Sequence, residues 1–144
     1  MNRKEFIKTC SYACLATITG ATLLESCSSA THIAASTLSG NIISINKSEF
    51  LTSKKDIPRK FVIVNSGKFE YPVCIYRIND TEYSALLMQC THNSCELTPQ
   101  GSYLVCPCHG SEFNNKGTVQ NPPAERNLQT FTTTSDNEKI YIHL

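Results

Sequence analysis

No charge imbalance, no run of some twenty apolar residues and no helical periodicity mark this 144-residue chain. With 13 basic and 12 acidic residues, and no basic stripe interleaved with aromatics, it lacks the electrostatic footprint of a nucleic-acid-binding protein. The uncharged run Cys10–Leu24 is shorter than the roughly 20 apolar residues of a membrane-spanning helix, and Thr17, Thr19, Gly20 and Thr22 interrupt it. There is no internal repeat, and no apolar stripe at three- and four-residue spacing to build a helical core. At this length one domain with a modest core is expected.

What is present begins with an export signal. Arg3, Lys4 and Lys8 precede the apolar run, the pattern of a signal peptide over residues 1–26. Asn2–Lys8, NRKEFIK, resembles the twin-arginine export motif with Lys4 in place of its second arginine; that route carries folded proteins, and Sec export of an unfolded chain is the alternative. Leu24-Glu25-Ser26-Cys27 resembles a bacterial lipobox, which predicts a lipid anchor on Cys27 and attachment on the periplasmic side of a bacterial membrane. The uncharged, Ser/Thr/Ala-rich stretch that follows reads as a tether over residues 27–40, with no role for His32. Residues 1–27 hold three of the basic and two of the acidic residues, so ten of each remain beyond them and no strongly charged partner is implied.

From Asn41 the chain breaks into short apolar runs: NIISI, FVIV, PVCIYRI, EYSALLMQ, YLV, LQTFTT and KIYIHL. Turn-forming groups separate them at Asn65-Ser66-Gly67, Asn79-Asp80, Thr98-Pro99-Gln100-Gly101, Asn114-Asn115-Lys116-Gly117 and Asp136-Asn137. Such spacing predicts an all-β sandwich or barrel over residues 41–144.

Eight cysteines carry most of the remaining information. Cys10 and Cys14 lie in the signal, Cys27 in the lipobox, and Cys74, inside PVCIYRI, reads as a small buried apolar residue. The other four form two clusters, each with a histidine: Cys90-Thr91-His92-Asn93-Ser94-Cys95 and Cys106-Pro107-Cys108-His109-Gly110-Ser111-Glu112-Phe113. Four cysteines and two histidines exceed one tetrahedral metal, which suggests four ligands and one disulfide; a zinc site, or two disulfides with incidental histidines, is the competing arrangement.

CTHNSC followed by CPCHGSEF resembles the paired loops of Rieske iron-sulfur proteins. The resemblance extends over about Asn41–Leu144 and implies an antiparallel β-sandwich with a cluster-binding subdomain of two loops. It implies a [2Fe-2S] cluster held by Cys90, His92, Cys106 and His109, with Cys95 and Cys108 joined as a disulfide. It further implies that Ser111 donates a hydrogen bond toward a cluster sulfur, raising the potential. Asn121-Pro122-Pro123-Ala124 resembles the family's proline-bearing segment over the cluster. One iron then takes two thiolates and the other two imidazoles, so the electron rests on the histidine-bound iron. Ring-proton loss couples to oxidation, and the potential falls as pH rises. A redox partner is expected to dock at the His92/His109 face.

Three departures from the family pattern stand out. Phe113 occupies the place where high-potential members have a tyrosine that bonds a ligand cysteine, so a lower potential is expected within the roughly −150 to +300 mV of Rieske centres. Ser94 stands where glycine is usual, at a cost in backbone freedom. Only 13 residues separate His92 from Cys106, a short connection. The function implied is one-electron transfer, as a membrane-tethered carrier or an electron-transfer subunit of a respiratory complex. The alternatives are the small subunit of a periplasmic oxidoreductase and a structural zinc-binding lipoprotein. No segment is left for a substrate-binding catalytic domain, so an oxygenase catalytic subunit is not expected.

Overall fold

The computed structural model describes residues 31–52 and 57–144. Residues 1–26, read as a signal and holding Cys10 and Cys14, and Cys27, read as lipidated, lie outside the described residues.

Strand formation follows the apolar runs. β2 (Ile42–Asn46), β3 (Phe61–Val64), β4 (Val73–Arg77), β5 (Tyr83–Leu87), β7 (Tyr103–Val105), β10 (Thr130–Ser135) and β11 (Lys139–His143) each fall on a run read as a strand. Among the described residues four more strands join them, β1 (Ser36–Ser39), β6 (Thr98–Gln100), β8 (Glu112–Asn114) and β9 (Val119–Asn121), and a 3-10 turn, Lys47–Phe50, follows β2. The strands form two antiparallel sheets, one ordered β1-β2-β11-β10-β5-β4-β3 and a smaller one ordered β6-β7-β8-β9.

β10 divides the large sheet. Its Thr130 and Phe131 pair with Leu86 and Ala85 of β5, whereas Thr132–Ser135 pair with β11. The strand thus passes from one half of the sheet to the other, and both halves turn one face onto a common core. That core takes Ile43 and Ile45 of β2, Val62 and Val64 of β3, Val73 and Ile75 of β4, and Tyr83, Ala85 and Leu87 of β5, closed by Phe131, Ile140 and Ile142.

β3–β5 are buried on both faces, which explains their unbroken apolar character. Their alternate residues, Ile63, Cys74, Tyr76 and Leu86, point the other way and pack against Leu104 of β7 and Phe113 of β8. The small sheet is therefore mounted on the outer face of the large one. Its first hairpin turns at Gly101-Ser102 between paired Gln100 and Tyr103, and Gly101 takes the positive φ of 64° that a two-residue hairpin favours.

The segment read as a tether is corrected in its described part. His32 and Ala34 exchange backbone hydrogen bonds with Ile63 on the edge strand β3, at 2.9 and 2.8 Å, and Ser36–Ser39 then pair with β2. One stretch of chain thus ties both edges of the large sheet, and the domain begins at Thr31 rather than Asn41. β1 is exposed at all four residues, so no apolar alternation betrays it. His32, read as idle, sets its Nε2 2.7 Å from a carboxylate oxygen of Glu49 in the 3-10 turn. The Thr98–Gly101 break also changes: Thr98–Gln100 is a strand, with Pro99 tolerated because β6 is a sheet edge.

Candidate metal centre

The two cysteine loops are built on one template. Loop 1 leaves β5 and is closed by the bridge Gln89↔Glu96, while loop 2 joins β7 to β8, closed by Val105↔Glu112. In each, the first cysteine's carbonyl accepts the N–H of the fourth residue onward: Ser94 to Cys90 and Gly110 to Cys106, both 2.9 Å. Its N–H donates to the carbonyl of the fifth, Cys95 at 2.9 Å and Ser111 at 2.8 Å. The fourth residue is left-handed in both, with φ 51° at Ser94 and 79° at Gly110.

This geometry sorts the side chains by depth. Cys90 and Cys106 are buried free thiols in hydrogen-bonding contact with each other, whereas His92 and His109 are exposed, ring centroids 5.0 Å apart and edge to face. Cys95 and Cys108 form a disulfide with a Cα separation of 6.5 Å that joins the loops, the pairing the resemblance implies. The sulfurs of Cys95, Cys106 and Cys108 lie within 4.8 Å of one another. Two of those share the disulfide and have no thiolate to offer, so the donors left to a metal centre are Cys90 and Cys106 in the interior and His92 and His109 at the tip.

Electrostatics favour anionic sulfur at Cys90. Burial pushes the Cys90 thiol up, but the backbone N–H of His92, the Cys106 thiol, the Asn93 N–H and the Ser111 hydroxyl outweigh it and bring the net shift below the ordinary value. Burial and then the neighbouring Cys90 push Cys106 up, so Cys90 is the first of the pair to ionise. Backbone N–H groups of Cys108 and His109 are aimed at the Cys106 sulfur in turn. Convergent amides around two buried sulfurs suit a cluster that bears negative charge on them.

Ser111 is fully buried; its hydroxyl contacts the Cys90 sulfur and accepts the Ala124 N–H at 3.0 Å. Asn121–Ala124 is thereby fastened to loop 2. Thr91 Oγ1 donates to the Arg126 carbonyl at 2.6 Å, fastening the following residues to loop 1. Phe113 is fully buried in the same core cluster as Cys90 and Cys106 and brings no donor to them. Cys74 is buried as expected; its sulfur meets the Tyr76 hydroxyl, and burial raises its pKa so far that it stays protonated. Tyr71 and Gln89, which sequence patterns did not single out, both hydrogen-bond Ser94. Their only advance signal was the serine itself at a position where glycine is usual.

Comparison with known proteins agrees with this geometry. The family model described as the Rieske [2Fe-2S] domain matches residues 48–132. The cytochrome b6-f complex iron-sulfur subunit 1 of Nostoc sp. PCC 7120 is 30% identical over 105 residues, 72% of this chain and 57% of that protein. The mitochondrial cytochrome b-c1 complex Rieske subunit of Bos taurus is 29% identical over 93 residues, 61% of this chain and 34% of that one. The chain therefore spans only about a third to somewhat over half of these curated relatives.

Among solved structures, the cyanobacterial plasma membrane Rieske protein of Synechocystis PCC 6803 superposes with a TM-score of 0.53 at 33% identity, covering 59% of this chain and 87% of that one. A chain from the complex of reduced oxygenase and oxidized ferredoxin in carbazole 1,9a-dioxygenase shares the fold, with a TM-score of 0.56 at 22% identity over 73% of this chain and 94% of that one. Two sheets, two loops of one template and a family match over more than half its length place this chain in the Rieske [2Fe-2S] domain family, with sequence likeness to the iron-sulfur subunits of the cytochrome b-c1 and b6-f complexes.

Proposed function

We propose that this chain passes single electrons between redox partners as an exported, membrane-tethered carrier or electron-transfer subunit of a respiratory complex. Cys90 and Cys106 hold one iron of the cluster, and His92 and His109 the other. The observation that carries the reading is the division by depth: two buried thiols, and two exposed imidazoles 5.0 Å apart at the tip. A [2Fe-2S] centre bound this way supplies one-electron chemistry within roughly −150 to +300 mV.

The chain's own groups shape that chemistry. The exposed rings present a face on which a donor or acceptor can dock, and each keeps one nitrogen free to hold or release a proton. Amides of His92, Asn93, Cys108 and His109 and the Ser111 hydroxyl favour negative charge on the cysteine sulfurs. Phe113 withholds one further donor and sets the potential below that of relatives with a tyrosine there.

Attachment is assigned to a lipid on Cys27, on the periplasmic side. Among the described residues no helix is long and apolar enough to cross a membrane. Two measurements test the reading. The full chain from a host able to build clusters is expected to contain two irons, no stoichiometric zinc, and a mixed histidine and cysteine 2Fe-2S EPR signal on dithionite reduction. Zinc with a silent spectrum would overturn electron transfer. Metabolic labelling with a fatty acid is expected to mark the wild type and not Cys27→Ser; equal labelling, or none in either, would overturn the lipid anchor.

A further inference from the structure

Loop 1 faces a conformational demand that loop 2 meets without cost. Both must enter left-handed backbone four residues after the first cysteine, and loop 2 uses Gly110 there. Loop 1 uses Ser94, the only non-glycine residue at positive φ among the described residues. A side chain disfavours that geometry, and such residues persist where surrounding contacts over-determine them.

The contacts are present. The Tyr71 hydroxyl donates to the Ser94 carbonyl, and Gln89 Nε2 donates to Ser94 Oγ at 3.2 Å. Ser94's own N–H is engaged by the Cys90 carbonyl at 2.9 Å, so the peptides on both sides of Ser94 and its hydroxyl are all held. Tyr71 comes from the β3–β4 connection and packs its partly buried ring against the large core, so its hydroxyl joins the body of the protein to the metal-binding subdomain. Ser94 itself sits between the His92 and Asn93 amides that point at the Cys90 sulfur and the Cys95 half of the disulfide.

We propose that Tyr71 is a positioning residue for the electron-transfer centre: its hydroxyl, aided by Gln89, holds the Ser94 peptide left-handed and thereby fixes the His92 loop over Cys90. Released, the Ser94 peptide relaxes toward ordinary backbone. The His92 and Asn93 amides then turn from the Cys90 sulfur, the reduced centre loses stabilisation, and Cys95–Cys108 opens to external thiols. The role rests on the ligand set proposed above for its effect on potential, but its effect on the disulfide does not.

Tyr71→Phe, Ser94→Gly and the double variant, made in the full chain, separate the possibilities. Tyr71→Phe keeps the packed ring and removes only the hydroxyl. It is expected to lower the midpoint potential and to speed dithiothreitol reduction of Cys95–Cys108 by about fivefold, the weight of one net hydrogen bond. Thiol trapping and mass spectrometry, on loaded and metal-free protein, follow the reduction. Ser94→Gly is expected to keep wild-type values, and Tyr71→Phe/Ser94→Gly to match Ser94→Gly, because glycine needs no clamp. Wild-type potential and reduction rate in Tyr71→Phe would overturn the proposal. So would a double variant as impaired as Tyr71→Phe, since Tyr71 would then act other than through Ser94. A wild type without cluster signal would overturn the ligand set instead, and the metal-free disulfide rates would still decide the clamp.

Discussion

The two faces of β3–β5 support two differently built regions. On one face, Val62, Val64, Val73, Ile75, Ala85 and Leu87 meet the apolar residues of β2, β10 and β11 in strands of four to six residues. On the other, the four strands of the small sheet have three residues each, and of these Leu104 and Phe113 are the fully buried ones. Strands so short with so little to bury cannot stand alone. The rest of that second core, beyond β3–β5, is loop: Met88, Cys90, Leu97, Cys106, Ala124 and Leu128. The body is thus held by burial between strands, and the metal-binding region by a core built largely of loop residues together with a disulfide and polar fastenings.

Removing one of the proposed ligands should break this contrast most visibly. Cys90→Ala is expected to abolish the 2Fe-2S EPR signal and to strip hydrogen-exchange protection from β6–β9 while β2–β5 and β11 stay protected. Loss of protection everywhere would show that the two regions are one cooperative unit. Next, Cys95→Ser with Cys108→Ser is expected to cost about 3 kcal/mol in denaturant unfolding, the chain-entropy value for a loop of this size, with the loss confined to the small sheet. Phe113→Tyr acts on the subdomain's chemistry rather than its stability. A new bond to a ligand sulfur should raise the midpoint potential on the order of 60 mV, and potentiometric EPR showing no change would refute the role given to Phe113.

Two smaller effects belong to the body. His32→Ala breaks the half-exposed contact with Glu49 and should cost under about 1 kcal/mol in thermal melting, since such surface pairs contribute little. Asp136 accepts the Lys139 N–H, the Tyr141 hydroxyl and the Glu138 N–H, which hold its carboxyl down at about 2. A folded pKa below the unfolded one adds stability above about pH 4, lost as pH falls toward 2. Asp136→Asn is therefore expected to flatten the acid limb of stability between those values, measured by urea unfolding, and to leave the midpoint potential unchanged.

How far each region could be read in advance follows from the same contrast. β3, β4 and β5 announce themselves because strands buried on both faces must be apolar throughout, and β2 and β11 because theirs alternate. β1 does not, since Ser36–Ser39 is held by backbone pairing with β2 and buries no side chain. Strands of three residues in the small sheet are too short for a period, and Pro99 in β6 reads as a break. The two loops were visible through their spacing, and the structure brings Cys90 to Cys106 in the interior and His92 to His109 at the tip, because each pair sits at matching places on two tight local turns. The clamp on Ser94 was not: Tyr71 lies 23 residues upstream, and no local pattern links a hydroxyl to a carbonyl at that distance. The signal and lipidation readings fall on residues 1–27, outside those described.

The hydroxyl of Ser111 carries a consequence for speed. Its oxygen accepts the Ala124 N–H, and the side chain is closed off from bulk solvent at 0% exposure. Its single proton can then go to the Cys90 sulfur that the hydroxyl contacts, while the Ala124 bond anchors the oxygen in place. The bond is a dipole that the fold aims at that sulfur, a placed donor that favours negative charge where it points. A cluster held by Cys90 would find that part of its surroundings already arranged for added charge, and the protein would have correspondingly less to rearrange as charge came and went.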